Sequence, residues 1–390
     1  MSRETVGIAA YAEIPNRFRT GRSPYDLAGE VLESLQRATG IGLEDIDGVS
    51  VTVSLSEAPN AFFAAFMCEA LGLTPTWLHA SGLGGCSVLS GIMAAISAVR
   101  EQRCRIALVL SADGTSTAHR GDPGAQTPEF QEPQAGMRPP AVFGLLMSRY
   151  AHQYGLSEEA LGKLAVVQRG HALLNENALA KLRKPLTLEE YRASRFIADP
   201  LRVLDSVMPC DGANAFIVTS REEARRRGWK KMVAPSAYAE ITNINGREPL
   251  ADITEVGFAH LRERLFAQAG LTPRDIRMFH PYDDFTIAIQ LQLEALGFCE
   301  RGKGAEFILG TDLSYRGALP LNTGGGQISA GQPGLAGGGL NLAEAVRQLF
   351  GEAGERQVSD ARNALVTGIG VIPYGRNWAT SAAMILEPVT

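Results

Sequence analysis

Short aliphatic runs recur along the chain at Val6–Ala9, Gly48–Val53, Ile106–Ser111, Ala213–Thr219, Arg277–Phe279, Asn363–Thr367 and Ser381–Leu386. They are continuous rather than alternating, the pattern of strands covered on both faces. Helical patterns lie between them. Leu27, Val31 and Leu35 recur at helical spacing with Ala28 and Leu32 beside them, and Ser23-Pro24 supplies a start signal. Ser87–Val99 is small, apolar and almost uncharged, which predicts a buried helix. Ser157-Glu158-Glu159 reads as a cap followed by an acidic first turn. Val256–Ala269, Phe285–Leu296 and Leu342–Phe350 complete the predicted helices. Strands alternating with helices predict an α/β protein.

A Pro/Gly-rich stretch, Gly121–Pro140, interrupts the first half, and mostly helical sequence follows to about Asp205. Together they predict an insertion or lid, about 121–205, over the core. Each half carries a glycine-rich turn, a small-residue helix and an aliphatic strand: GGCSVLSGIMAAISAV with RIALVLSADG, and GGGQISAGQPG with LNLAEAVRQL and NALVTGIG. This echo suggests a duplicated fold with halves 1–230 and 231–390.

Composition narrows the function classes. The length of 390 residues exceeds the roughly 150 of an average domain, which fits two lobes. Lys+Arg 37 against Asp+Glu 42 gives a net charge of -5, which argues against nucleic acid and anionic membranes as partners. Five cysteines without a CxxC pair give neither a disulfide framework nor zinc spacing, and the expected compartment is the reducing cytoplasm. The amino terminus does not read as a secretory signal, and no apolar run of about 18 residues predicts a membrane span. The 42 glycines cluster at SGLGG, NTGGGQISAGQPGLAGGG and VTGIGV, where backbone is expected to approach another element or a ligand.

Four pieces can carry chemistry. Cys86 follows Gly84-Gly85 and opens the predicted helix Ser87–Val99, where the dipole and free N–H groups favour a thiolate. The plain alternative is a small cysteine packed in a tight turn. The second piece, His280-Pro281-Tyr282-Asp283-Asp284-Phe285, lies where a predicted strand turns into a helix. Tyr282 can donate a proton or hold an enolate oxygen, and His280 reads as easily as a satisfied buried histidine as a base. Asp283 and Asp284 fit helix caps equally well. The third is the loop Asn322–Gly334, which matches neither a Walker loop nor a dinucleotide fingerprint. The fourth is the turn Gly368–Gly375, with Tyr374 as its phenol. Asn322, Gly325, Gly326, Gln332 and Gly370 are the candidate substrate- or CoA-binding residues. The basic run Arg221–Lys231 reads as a solvated helix and loop, with contact to ligand phosphates as the lesser alternative.

In this order the pieces resemble the thiolase superfamily, nearest its sterol-carrier/lipid-transfer branch, and the resemblance covers essentially the whole chain. GGCS resembles the nucleophilic-cysteine turn, YDDF at 282–285 the motif written HDCF, and NTGGGQISAGQPG the loop written NPSGGLISKGHP. The resemblance implies duplicated βαβαβαβ halves in a five-layer α-β-α-β-α arrangement and a homodimer. It implies coenzyme A as part of the substrate, no metal or redox cofactor, and a separate small partner with a zinc ribbon and an OB-fold barrel.

The departures bear on mechanism. The family's GHP histidine aligns with Gln332, which cannot take a thiol proton, and the HDCF histidine aligns with Tyr282. No cysteine stands near Thr367–Gly370, where the second thiolase cysteine belongs. Two enzymatic readings follow. In the first, an acyltransferase cleaves or forms a 3-oxoacyl-CoA through a Cys86 thioester, with His280 or Tyr282 replacing the missing base. In the second, a retro-aldol lyase of the sterol side-chain type acts on a 3-hydroxyacyl-CoA with Tyr282 and Tyr374. A non-catalytic acyl-CoA or lipid binder is the third. The weight falls on the first.

Overall fold

The computed structural model describes residues 5–58, 60–118, 139–244, 252–370 and 378–389. Most of the Gly121–Pro140 stretch, and Tyr374, lie outside the described residues. The strands are β1 (Val6–Glu13), β2 (Gly48–Thr52), β3 (Trp77–Ser81), β4 (Ile106–Gly114), β5 (Phe196–Ala198), β6 (Leu201–Arg202), β7 (Asp211–Ser220), β8 (Val233–Thr242), β9 (Met278–His280), β10 (Ala364–Ile369) and β11 (Thr380–Pro388). The helices are α1 (Pro24–Thr39), α2 (Phe63–Leu71), α3 (Ser87–Arg100), α4 (Pro139–Tyr154), α5 (Glu158–Leu173), α6 (Leu188–Ala193), α7 (Arg221–Arg226), α8 (Phe258–Ala269), α9 (Thr286–Ala295), α10 (Gly304–Gly310), α11 (Gly326–Ala330) and α12 (Gly337–Leu349).

Nine strands form one mixed sheet in the order β3-β2-β4-β7-β1-β8-β11-β10-β9. The order is mirrored about its middle. Outward from β1 run β7, β4, β2 and β3; outward from β8 run β11, β10 and β9. The place of β3 in the second half is taken by residues 320–322. There Phe279 N–H donates to Pro320 O at 2.9 Å, and Asn322 N–H to Phe279 O at 3.0 Å. Each glycine-rich turn therefore leaves its half from the same position. The halves meet at one Cα pair, Ile8 with Val233. Gly7 permits this approach, since a Cβ there would lie 2.3 Å from Val233 O.

Three apolar cores make five layers. One joins α1 and α2 to the outer face of β2, β4 and β7. The middle core joins α3 and α12 to both halves of the sheet, from Val109 and Phe216 on one side to Val366 and Met384 on the other. The third joins the C-terminal strands to α4, α5, α8 and α9, so the insertion helices lie over the second half. Burying each large aliphatic side chain here contributes about 1.5–3 kcal/mol. This is the α/β architecture expected from the sequence.

Local signals act as the sequence predicts. Ser23 closes a capping box with Asp26 at the start of α1, and Ser157 accepts the Ala160 N–H at the start of α5. Two strands of the large sheet were not foreseen. β3 is an edge strand with alternately exposed residues and no aliphatic run. β8 contains Pro235, which sits at a bulge: Ile385 pairs with Ala237 and Leu386 with Pro235. A bulge is where a strand tolerates proline. In α7 and the turn after it, two arginines of the basic run are paired: Arg226 with Glu223, and Arg227 with Asp45 and Glu223.

Candidate active site

The Gly84–Cys86 turn enters α3 between the end of β10 and the start of α12. Glycine is required on every side. A Cβ at Gly84 would lie 2.9 Å from Gly370 Cα, and one at Gly338 would lie 2.4 Å from Gly85 O. One at Gly368 would lie 2.8 Å from Cys86 Cα. The packing seals the sulfur. Cys86 is fully buried within the middle core, and its Sγ donates to Thr380 O at 3.4 Å. Burial, and next the charge of Glu240, push the thiol well above its ordinary value. The thiolate expected from the helix dipole is therefore not favoured: loss of solvation outweighs the dipole because the side chain turns into the core.

Tyr282 occupies the space beside this turn. Its ring covers Gly85, where a Cβ would meet ring Cε2 at 2.2 Å. The backbone of Tyr282 is fixed from both sides. Its N–H donates to Thr367 Oγ1 at 2.9 Å, and its carbonyl accepts from Gln292 Nε2 at 2.8 Å. Thr367 Oγ1 donates in turn to Gln292 Oε1 at 2.5 Å. The phenol accepts a long hydrogen bond, 3.4 Å, from Gln332 Nε2. Burial, then the neighbouring Asp284 and Cys86, hold the phenol well above its ordinary value, so it is a neutral donor.

The two aspartates differ. Asp283 is buried and accepts from Gln327 N–H at 2.9 Å, Ile328 N–H at 3.1 Å and Asn341 Nδ2 at 3.2 Å. It caps α11, distant in sequence, rather than its own helix; the N-cap position of α9 is Phe285, which gives no side-chain cap. Burial pushes Asp283 up to about 7 against those hydrogen bonds. Asp284 is half-buried, and its Oδ1 is enclosed without a hydrogen-bond partner. Burial and the charge of Asp283 push it up to about 8, poised for proton transfer near neutrality. In the sequence a helix cap fits Asp284 equally well.

His280, the candidate base, is enclosed. It is the last residue of β9, fully buried, and neither ring nitrogen has a partner. Burial pushes it down to about 4, leaving a neutral imidazole whose charged neighbour is Glu344. It makes no hydrogen bond to Cys86 or Tyr282.

The candidate binding residues divide. Asn322 Nδ2 donates to Gln168 Oε1 at 2.8 Å and to Pro281 O at 3.1 Å. A Cβ at Gly325 would strike Ala172, and one at Gly326 would lie 2.2 Å from Asp283 Oδ2. Asn322 Nδ2 and the Cβ directions of Gly325 and Gly326 thus point into protein, Asn322 Oδ1 is enclosed without a partner, and positive φ at each explains the residue choice. Gln332 and Gly370 are half-buried and remain reachable. Thr323 Oγ1 donates to Glu344, which pairs with Arg347 and Arg356, so a buried ion network backs the loop. No signal in the sequence pointed to Gln292, Asn341 or this network. Among the described residues no group of histidine, cysteine and carboxylate side chains could hold a metal.

Comparison with known proteins gives the family. The family described as "Thiolase C-terminal domain-like" matches residues 243–387. A 17-hydroxy-3-oxo-4-pregnene-20-carboxyl-CoA lyase of Mycobacterium tuberculosis is 32% identical over 95% of this chain and 97% of its own. A steroid side-chain-cleaving aldolase of Thermomonospora curvata is 32% identical over 91% of this chain and 93% of its own. The solved Ltp2-ChsH2(DUF35) aldolase superposes with a TM-score of 0.84 at 27% identity, covering 98% of both chains. The chain belongs to the thiolase superfamily, in its sterol-carrier-thiolase-like branch. It is a thiolase-like enzyme of carbon–carbon bond chemistry, and among these relatives lyases stand foremost. No helix among the described residues is long and apolar enough to cross a membrane.

Proposed function

We propose that the chain is a retro-aldol lyase that cleaves the side chain of a bulky 3-hydroxyacyl-CoA. The observation that carries this reading is the exchange of roles at the Gly84–Cys86 turn: the sulfur is sealed against Thr380 O, while the Tyr282 phenol covers the turn and meets Gln332, which holds no exchangeable base. Acyl transfer through Cys86 needs a thiolate with access to a carbonyl. Retro-aldol cleavage needs neither.

In this reading the carboxylate of Asp284 takes the proton of the 3-hydroxyl. The hydroxyl oxygen closes to a carbonyl, the C2–C3 bond breaks, and its electron pair passes into the thioester as an enolate. The neutral Tyr282 phenol donates to the enolate oxygen, and a proton returned to C2 completes the shorter acyl-CoA. Tyr374, from the resemblance, is the second phenol. Gln332 and Gly370 line the approach. Coenzyme A is part of the substrate, and no metal or redox group takes part.

The relatives' names support a steroid-like acyl group. The Ltp2-ChsH2(DUF35) aldolase, whose name joins two components, supports a separate small partner of the zinc-ribbon/OB-fold kind. A second copy is proposed along β3, an edge strand that exposes Leu78 and carries neither lysine nor proline to block pairing. The cytoplasm is its proposed compartment.

The test is the dependence on free coenzyme A. Incubation with a tertiary 3-hydroxyacyl-CoA is expected to release a ketone and a shorter acyl-CoA with no thiol added. Cleavage of a 3-oxoacyl-CoA that proceeds only when coenzyme A is supplied would contradict the lyase reading.

A further inference from the structure

A cavity of about 930 Å³ lies beside the site, between the loop after β1, the loop after β4 and the segment before β7. Its walls are fixed by one carboxylate. Asp211, the first residue of β7, accepts from the backbone and hydroxyl of Thr20 at 2.9 and 2.8 Å and of Ser116 at 2.9 and 2.7 Å. It also accepts from those of Thr117 at 3.0 and 2.5 Å. Both loops are thereby held in place without a ligand.

The mouth is basic. Phe18 lines the cavity, with Lys181 Nζ 3.8 Å and Arg19 Cζ 5.1 Å from its ring centroid. The ring orients both cations. Neither has an acidic partner among the described residues, whereas Arg17 and Arg22 nearby both pair with Glu30. Arg183 and Lys184 follow on the same exposed segment, also without an ion pair among the described residues. That segment is tied to the loop after β1, since Asn16 N–H donates to Asn177 O at 2.9 Å. Two cations, Arg19 and Lys181, on the Phe18 ring that lines the cavity, in a chain of net charge -5, are a local attractor for anions. Thr115, also in the lining, has its Oγ1 enclosed without a partner.

The cavity shares a wall with the reaction centre. Met208 and Pro209 line it, and Met208 O accepts the Gln332 N–H at 3.0 Å. The Gln332 side chain then reaches the Tyr282 phenol. The volume matches a site for a ligand of drug-like size and is too large for a lone ion.

We propose that this cavity takes the far part of the thioester substrate, with Lys181 and Arg19 clamping an oxyanion that the substrate carries, a phosphate or a carboxylate. The proposal rests on the lyase reading for the identity of the substrate, and its test reads binding alone. Wild type and the R19Q/K181Q double variant are titrated calorimetrically with four probes. These are CoA, 3′-dephospho-CoA, and two N-acetylcysteamine thioesters of equal length, one ending in a carboxylate and one in its methyl ester. The double variant is expected to bind one class of charged probe at least about tenfold more weakly, with the loss shrinking in high salt. A loss on CoA, with or without its 3′-phosphate, identifies the phosphate. A loss confined to the carboxylated thioester identifies the acyl group. Affinities within about twofold for all four probes, or wild type binding neither charged class, overturns the proposal. Both residues are exposed, and an unchanged melting temperature confirms that the variant is folded. Y282F is expected to keep this binding. A wild type that binds in this manner but cleaves nothing would sink the lyase reading and leave the clamp standing.

Discussion

The aromatic ring of Tyr282 lies against Gly85, so close that a methyl group on Gly85 would reach 2.2 Å from ring Cε2. The absence of a side chain at one residue thus creates the position of the other. Gly85→Ala is expected to displace the phenol and overpack the turn, costing about 1–3 kcal/mol of stability. Turnover should fall about a hundredfold or more in protein that still melts cooperatively. Parallel rate and melting measurements check this. Full activity in G85A would mean that the phenol's position is immaterial.

Asp283 joins the Tyr282 turn to the glycine loop through the N–H groups of Gln327 and Ile328. Asp283→Ala leaves those donors buried and unpaired, a cost of roughly 2–4 kcal/mol. Denaturant unfolding is the measurement. A loss below about 0.5 kcal/mol would show that the cap does not hold the loop.

Asp284 sets a pH dependence. Its carboxyl is raised from 3.8 to about 8, so the folded chain holds a proton that the unfolded chain has already released. Stability contributed by that proton is complete below about pH 4 and is lost as pH rises through about 8. Activity runs the other way, because only the ionised carboxylate accepts a proton. The profile of kcat/KM should climb with a midpoint near pH 8, and Asp284→Asn should remove the climb together with most of the rate. A D284N enzyme that keeps the wild-type profile would clear Asp284 of the role.

Glu344 behaves oppositely. Burial opposes its ionisation, but Arg347 and Arg356 outweigh it and hold the carboxyl well below 4.5. Its stabilisation is present above about pH 4.5 and is lost as pH falls toward its lowered value. Glu344→Gln leaves Arg356 without its carboxylate and Arg347 with Glu13 alone, and should cost about 3–5 kcal/mol at neutral pH. The gap from wild type should narrow in acid. Acid titrations of the two proteins that run parallel would contradict this.

The sequence carried the strand–helix alternation, the caps at Ser23 and Ser157, and the register of the motifs, because these are local signals. It missed β8 because Pro235 looks like a strand breaker until the bulge opposite Ile385 and Leu386 is seen. Cys86 shows the limit most clearly. Its place at the start of α3 was legible, but the side of the turn on which the sulfur falls depends on β10 and β11, far along the chain. His280 and Asp283 follow the same logic, since their partners or lack of them lie in elements remote in sequence. The cavity mouth at Phe18, Arg19 and Lys181 had no motif at all.

Which side chain carries the reaction is measured most directly by steady-state cleavage of a 3-hydroxyacyl-CoA by C86A and Y282F, side by side. The sealed sulfur predicts that C86A keeps turnover within about tenfold of wild type, while Y282F falls by about a hundredfold or more. An inactive C86A beside an active Y282F would contradict it.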